Sequence, residues 1–293
     1  MSSTANFGGL PGEYSKLSQA GIVIIPVPYD KTSTWIKGAD KGPAAIIEAS
    51  ANMELYDIET DSEVYRKGIF TVDALKVGDL LPEDMIEKVN EKVLQYIGKE
   101  KFIVVLGGEH SVSVGSVKAH IEKNKSLTVL QLDAHSDLRD QYEGSKYNHA
   151  CVMARAREMC PIVQVGIRSM DSSEKKLLNR ANVFFAEDIY SGFPQSGGPR
   201  TDWIDEVVSK LTDRVYITFD LDAFDPSIMP STGTPEPGGL LWYDVLKLLR
   251  RIADNRDIVG FDVVELCPNE INKSPDFLAA KLIYKLLSYK FRE

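Results

Sequence analysis

Short apolar runs rich in β-branched residues recur along the chain, separated by longer stretches in which apolar positions return every three or four residues. The runs fall at 22–27, 102–106, 127–132, 162–167, 183–185, 215–219 and 258–264, with a weaker eighth at 69–72. Runs this short and this continuous suit strands buried on both faces, as in a parallel sheet. Between them, 43–55, 83–97, 112–122, 203–211, 242–252 and 277–287 read as amphipathic helices, the first opened by Pro43. Alternation of strand and helix along nearly the whole chain predicts an α/β fold, a parallel sheet with helices on both faces joined by right-handed crossovers. No internal repeat or low-complexity linker breaks the pattern, so residues 1–293 read as one domain, with a Gly/Pro/Ser-rich loop at 191–199. In such sheets ligands bind outside the carboxyl ends of the strands.

Composition narrows the partners. At 293 residues and 43% hydrophobic content the chain can bury a substantial core. Its 43 acidic residues outnumber 34 basic ones, and no Lys/Arg stripe could track a phosphate backbone, which argues against nucleic acid. No apolar run approaches the roughly 20 residues that span a bilayer, and the first residues carry no charged-then-apolar signal pattern. The expectation is a soluble, cytoplasmic protein with no membrane partner. Cys151, Cys160 and Cys267 are scattered and lack a CxxC spacing, so they read as reduced thiols in or near the core. His120, in mid-helix among polar residues, reads as exposed.

Unusual residues gather at the strand ends. The strand at 102–106 runs into Gly107-Gly108-Glu109-His110-Ser111, whose glycines let the backbone bend before the next helix. The strand at 127–132 runs into Asp133-Ala134-His135-Ser136-Asp137, where three metal-ligand types at alternate positions share one side if the backbone stays extended. One Asp at such a place would be an ordinary helix cap; two Asp and a His in five residues are not explained that way. The strand at 215–219 runs into Asp220-Leu221-Asp222, and the strand at 258–264 carries Asp262, a structural partner, and then Glu265. A carboxylate at the Glu265 position matches a planar guanidinium bidentately.

Several carboxylates with no Lys or Arg among them repel one another in a partly dry cleft. Divalent cations are the simplest remedy. Two imidazoles (His110, His135) and four carboxylates (Asp133, Asp137, Asp220, Asp222) exceed what one tetrahedral zinc needs, and the oxygen-rich set suits two harder ions such as Mn²⁺. Four carboxylates and one hydroxide against two dications leave a formal charge of about −1, which favours a small cationic substrate.

These segments resemble the three signatures of the arginase/agmatinase/formiminoglutamase family, the ureohydrolases: Gly-Gly-Glu-His-Ser at 107–111, Asp-Ala-His-Ser-Asp at 133–137 and Phe-Asp-Leu-Asp-Ala-Phe-Asp-Pro at 219–226. The resemblance implies a three-layer α/β/α fold with an eight-stranded, mainly parallel sheet. It also implies two Mn²⁺ ions per chain, hydrolysis of a guanidinium carbon by a metal-bridging hydroxide, and a homotrimer or homohexamer. Asp133 and Asp220 would bridge the ions, His110 and Asp137 would complete one site, and His135 and Asp222 the other. His149 matches by position the family's proton shuttle, a role its titration range suits, and Glu265 matches the glutamate that holds the guanidinium.

The segment 138–145 carries Arg139 where arginases usually carry an Asn that binds the substrate's α-carboxylate, and 231–239 is similar to the agmatinase form of its loop. The resemblance therefore points to agmatine, with putrescine and urea as products. Glu143 would meet the distal ammonium, while Trp35 and Tyr147 flank the methylenes. Arg139 could instead bind the carboxylate of a guanidino acid such as guanidinobutyrate; guanidinopropionate and arginine are the other alternative substrates. Two readings from other classes are a single-zinc, deacetylase-like hydrolase and a metal-binding regulator without turnover. The six-ligand set speaks against the first, and His149 with Glu265 against the second.

Overall fold

The apolar runs form eight strands: β1 Ile22–Val27, β2 Ile69–Thr71, β3 Phe102–Gly107, β4 Leu127–Leu132, β5 Ile162–Ile167, β6 Val183–Phe185, β7 Arg214–Asp220 and β8 Asp257–Val264. These come from a computed structural model that describes residues 6–190 and 202–292; the Gly/Pro/Ser-rich loop at 191–199 lies outside them. The strands make one sheet in the order β2-β1-β3-β8-β7-β4-β5-β6, with every neighbouring pair parallel. Buried strands alternate their side chains between two layers: Ile22 and Ile24 of β1 join one apolar cluster, Val23 and Ile25 the other.

The helices are α1 Gly42–Ser50, α2 Pro82–Ile97, α3 Val112–Lys123, α4 Val152–Met159, α5 Ala186–Tyr190, α6 Trp203–Lys210, α7 Trp242–Asn255 and α8 Ser274–Lys290. Helices α1, α6, α7 and α8 cover one face through Ile46, Val207, Leu248 and Ile283. Helices α2, α3 and α4 cover the other through Met85, Val117 and Val152. This is the α/β/α layering that the resemblance implies. Two details differ from the sequence reading. The first helix ends at Ser50, because Asn52 and Met53 donate to Ala49 and Ser50 in tighter three-residue turns. Helices α4 and α5 carry too few apolar repeats to stand out by period. No helix among the described residues is long and apolar enough to cross a membrane.

His120 corrects the sequence reading outright: it is 1% exposed, not on the surface. Its ring lies over Gly260 of β8, where any side chain would collide with it, and against the Tyr216 ring at 4.7 Å. Nδ1 donates to the Ser116 carbonyl at 2.8 Å, and the buried Nε2 has no hydrogen-bond partner. The glycine inside the β8 run was the available sign, since Gly in a strand often marks close approach. Burial holds the imidazole at about 4, below its ordinary value of 6.5. The unfolded chain therefore binds this proton first as pH falls. The stability that neutral His120 confers is complete above pH 6.5 and lost towards pH 4, by about 3 kcal/mol. In urea titrations at pH 7 and pH 4.5, His120→Leu should lose less stability on acidification than the parent chain; equal losses would contradict this.

Candidate metal centre and active site

The four central strands, β3, β8, β7 and β4, supply the site. The chain leaves β3 for β4 three places away, and β7 and β8 later fill the two positions between them. Crevices at the carboxyl ends of strands around such a break are where α/β sheets bind ligands. His110 follows β3, Asp133 to Asp137 follow β4, Asp220 ends β7 with Asp222 beyond it, and Glu265 follows β8.

Local geometry aims these side chains. Gly108 is required less by a bend than by close approach, because a Cβ there would strike the Tyr29 backbone. That contact lays the loop after β1 against the turn, with Glu109 N–H donating to the Tyr29 carbonyl at 2.8 Å. After β4 the backbone does not stay extended as expected. Asp133 accepts the His135 N–H at 2.6 Å and Asp137 turns into the left-handed region at φ 51°. Asp220 likewise accepts the Asp222 N–H at 2.9 Å as β7 passes into a 3₁₀ turn. Glu265 is also left-handed, at φ 66°, and accepts the His110 N–H at 2.8 Å. Left-handed backbone at non-glycine residues costs of order 1 kcal/mol or more each and persists where surrounding contacts enforce it.

The result is a compact acidic nest. His110 Nδ1 lies 3.2 Å from Asp133, 3.0 Å from Asp137 and 3.3 Å from Asp220, while His135 Nδ1 lies 3.0 Å from Asp222 and 3.6 Å from Asp133. Potential ligand atoms of His110, Asp133 and Asp220 converge within 4.8 Å of one another, as do those of Asp133, His135 and Asp222, so Asp133 belongs to both groups. Thr218 Oγ donates to Asp262 at 2.7 Å and therefore accepts from His110 Nε2 at 2.9 Å. The lone pair is left on His110 Nδ1, a buried atom without a hydrogen bond that faces three carboxylates. A cation resolves that arrangement, and the donor set fits a pair of oxygen-preferring divalent ions.

Protonation states carry the same message. Burial pushes Asp220 well above the carboxylate range, with Asp222 and Asp133 adding to it, and burial with Asp133 raises Asp137 to about 7. Burial opposes a charge on His135, yet Asp222 and Asp133 push it up to about 12. Protons thus stand in the place of metal charge, and metal binding would release them.

His110, His135, Asp137, Asp220 and Asp222 line a cavity of about 300 Å³, with Asp133 buried behind them. Glu265 is on its wall, as are His149, Arg139, Tyr142, Trp35 and Thr234. Trp35 is 69% exposed, at the rim. Glu143 and Tyr147 do not line it. Glu143 sits at the exposed tip of the Tyr142–Ser145 turn, and Tyr147 packs against the second apolar cluster. Tyr142 takes the place expected of Tyr147. Arg139 neither faces away nor pairs with its neighbours: its guanidinium lies 4.2 Å from the Tyr142 ring centre and Nε is 4.0 Å from Glu174, while Asp140 pairs with Arg155. The sequence reading also missed Arg168, which donates to the carbonyls of Asp222, Phe224 and Glu236 and so ties the 231–239 loop to the end of β7. A single arginine after a strand carries no pattern that would reveal this.

A parallel α/β sheet with a shared nest of imidazoles and carboxylates at its carboxyl rim has the architecture of a metallohydrolase. The comparisons with known proteins place it further: the chain belongs to the arginase family, whose model matches residues 20–288, and it is a ureohydrolase. It is 38% identical to an N(1)-aminopropylagmatine ureohydrolase of Synechocystis sp., over 93% of this chain and 90% of that protein. It is 34% identical to an agmatinase of Pyrococcus horikoshii, over 94% of each. Among solved structures, the agmatine ureohydrolase of Thermoplasma volcanium superposes with a TM-score of 0.86 at 32% identity, covering 99% of this chain and 95% of that one.

Proposed function

We propose that this ureohydrolase binds two Mn²⁺ ions and releases urea from agmatine or from its N1-aminopropyl derivative, leaving the corresponding polyamine. The observation that carries the reading is Asp133, shared between two convergent ligand groups beneath a cavity whose wall bears Glu265. His110, Asp133, Asp137 and Asp220 would hold one ion, and Asp133, His135, Asp220 and Asp222 the other. When bound, the metal pair lowers the pKa of water so that a nucleophile for the guanidinium carbon exists at neutral pH. Glu265 grips the guanidinium through charge-assisted hydrogen bonds. His149, held at about 4 chiefly by burial, is neutral in the resting cavity and able to take a proton and pass it to the leaving amine.

A cationic chain suits the acidic cavity. Arg139 is countered by Glu174 and covered by the Tyr142 ring, so its charge is not free to demand a substrate carboxylate. Agmatine is the simplest substrate with this character. The N1-aminopropyl form is favoured by the 38% identical Synechocystis relative and by one of Thermus thermophilus at 37%, both named for that substrate. Urea release should be measured with both amines, arginine and guanidinobutyrate. Both amines should exceed arginine and guanidinobutyrate in kcat/KM by roughly 100-fold or more, a difference of about 3 kcal/mol. Preference for a guanidino acid would overturn the reading. The resemblance to trimeric and hexameric ureohydrolases makes an oligomer of that size part of the proposal.

A further inference from the structure

Thr32, in the loop after β1, is buried and meets two groups of different elements. Its hydroxyl donates to Glu109 Oε1 at 2.9 Å. The same oxygen accepts the backbone N–H of His149 at 2.9 Å and lies 3.3 Å from His149 Nδ1. Glu109, fully buried, is itself fixed: Ser111 N–H donates to Oε2 at 2.7 Å, and Ser111 Oγ donates to Oε1 at 2.9 Å. Backbone N–H groups can only donate, and with the Ser111 N–H on Oε2 and the Thr32 N–H on Oε1 at 3.4 Å both Glu109 oxygens act as acceptors here.

A threonine hydroxyl has one hydrogen and two lone pairs. The hydrogen goes to Glu109, and one lone pair takes the His149 backbone N–H. The second lone pair can only accept from His149 Nδ1, which therefore carries the ring proton. Nε2 is left as the basic nitrogen of a residue that lines the cavity, with no partner among the described residues. We propose that Thr32, anchored by Glu109, is a positioning residue that fixes the orientation and tautomer of His149 so that Nε2 faces the reacting group. This rests on the proposed shuttle role of His149. It assigns a function to the loop after β1, which carries none of the metal-ligand segments, and it explains why that loop is clamped against Gly108.

The test compares kcat, KM and bound metal for the metal-loaded parent, Thr32→Val, Thr32→Ser, His149→Phe and the Thr32→Val/His149→Phe double variant. Valine keeps the shape and removes the hydroxyl, while serine restores it. Thr32→Val should lower kcat roughly 10–100-fold, the scale of a misplaced catalytic group, with KM and metal content close to the parent values. Thr32→Ser should recover most of the loss, and the double variant should be no slower than His149→Phe alone. Parent-like turnover in Thr32→Val, metal loss in it, failure of serine to rescue, or a further multiplied loss in the double variant would each overturn the Thr32 link while leaving the His149 role standing. Full turnover in His149→Phe would instead remove the shuttle role and this inference with it.

Discussion

Asp133→Asn should abolish urea release, by roughly 10⁴-fold or more, because the chain loses its metal. Asp133 is the residue common to both ligand groups, and its two oxygens also accept from His135 N–H at 2.6 Å and Gln131 Nε2 at 2.7 Å. Asparagine keeps the volume but turns one oxygen into an NH₂ group. Whichever way the amide is placed, a donor then faces either the His135 N–H or the Gln131 amide, and the negative charge shared by the two ligand groups is gone. Elemental analysis after gel filtration should show well under two metal ions per chain. Full metal content with lost activity would mean that Asp133 acts on substrate instead.

Glu265→Gln should lower kcat/KM by roughly 100- to 1,000-fold with metal content unchanged, the loss expected when a charge-assisted grip on a guanidinium becomes a neutral one. Glutamine can still accept the His110 N–H that Glu265 Oε1 now accepts, so the turn bearing His110 should hold. Burial and the neighbouring Glu109 push the Glu265 carboxyl well above its usual value. A guanidinium entering beside it would favour the ionised form, so the substrate helps to create the charge that binds it. Metal loss in this variant, or kcat/KM near the parent's, would show that Glu265 serves the fold of the rim.

Much of this was legible in the residues because two periods with distinct physical origins coincide with the chemistry. Runs such as 127–132 are mostly apolar, with Thr128 and Gln131 the exceptions, because the strand is buried on both faces, so the break to Asp133 marks the strand end and the candidate ligand set together. Strand order was not legible, since β3 and β8 contribute to pairings that depend on packing across the sheet. The same limit hid His120, whose helix looks polar while its ring fills the space over Gly260, and it misdirected Glu143 and Tyr147, whose nearness in sequence to His149 does not survive the turn at 142–145. Thr32 was invisible for a related reason. A hydroxyl gains meaning only from the Glu109 and His149 that the fold brings to it.

The central claim is that four strand ends hold a pair of divalent ions for guanidinium hydrolysis. Its most direct measurement is the metal content of the purified chain, chelated and then reloaded with Mn²⁺, followed through urea release from agmatine and its aminopropyl derivative. About two Mn²⁺ per chain, and activity that returns as the metal returns, are the expected results. One tightly held zinc, or two bound ions with no urea from any guanidino compound, would contradict the claim.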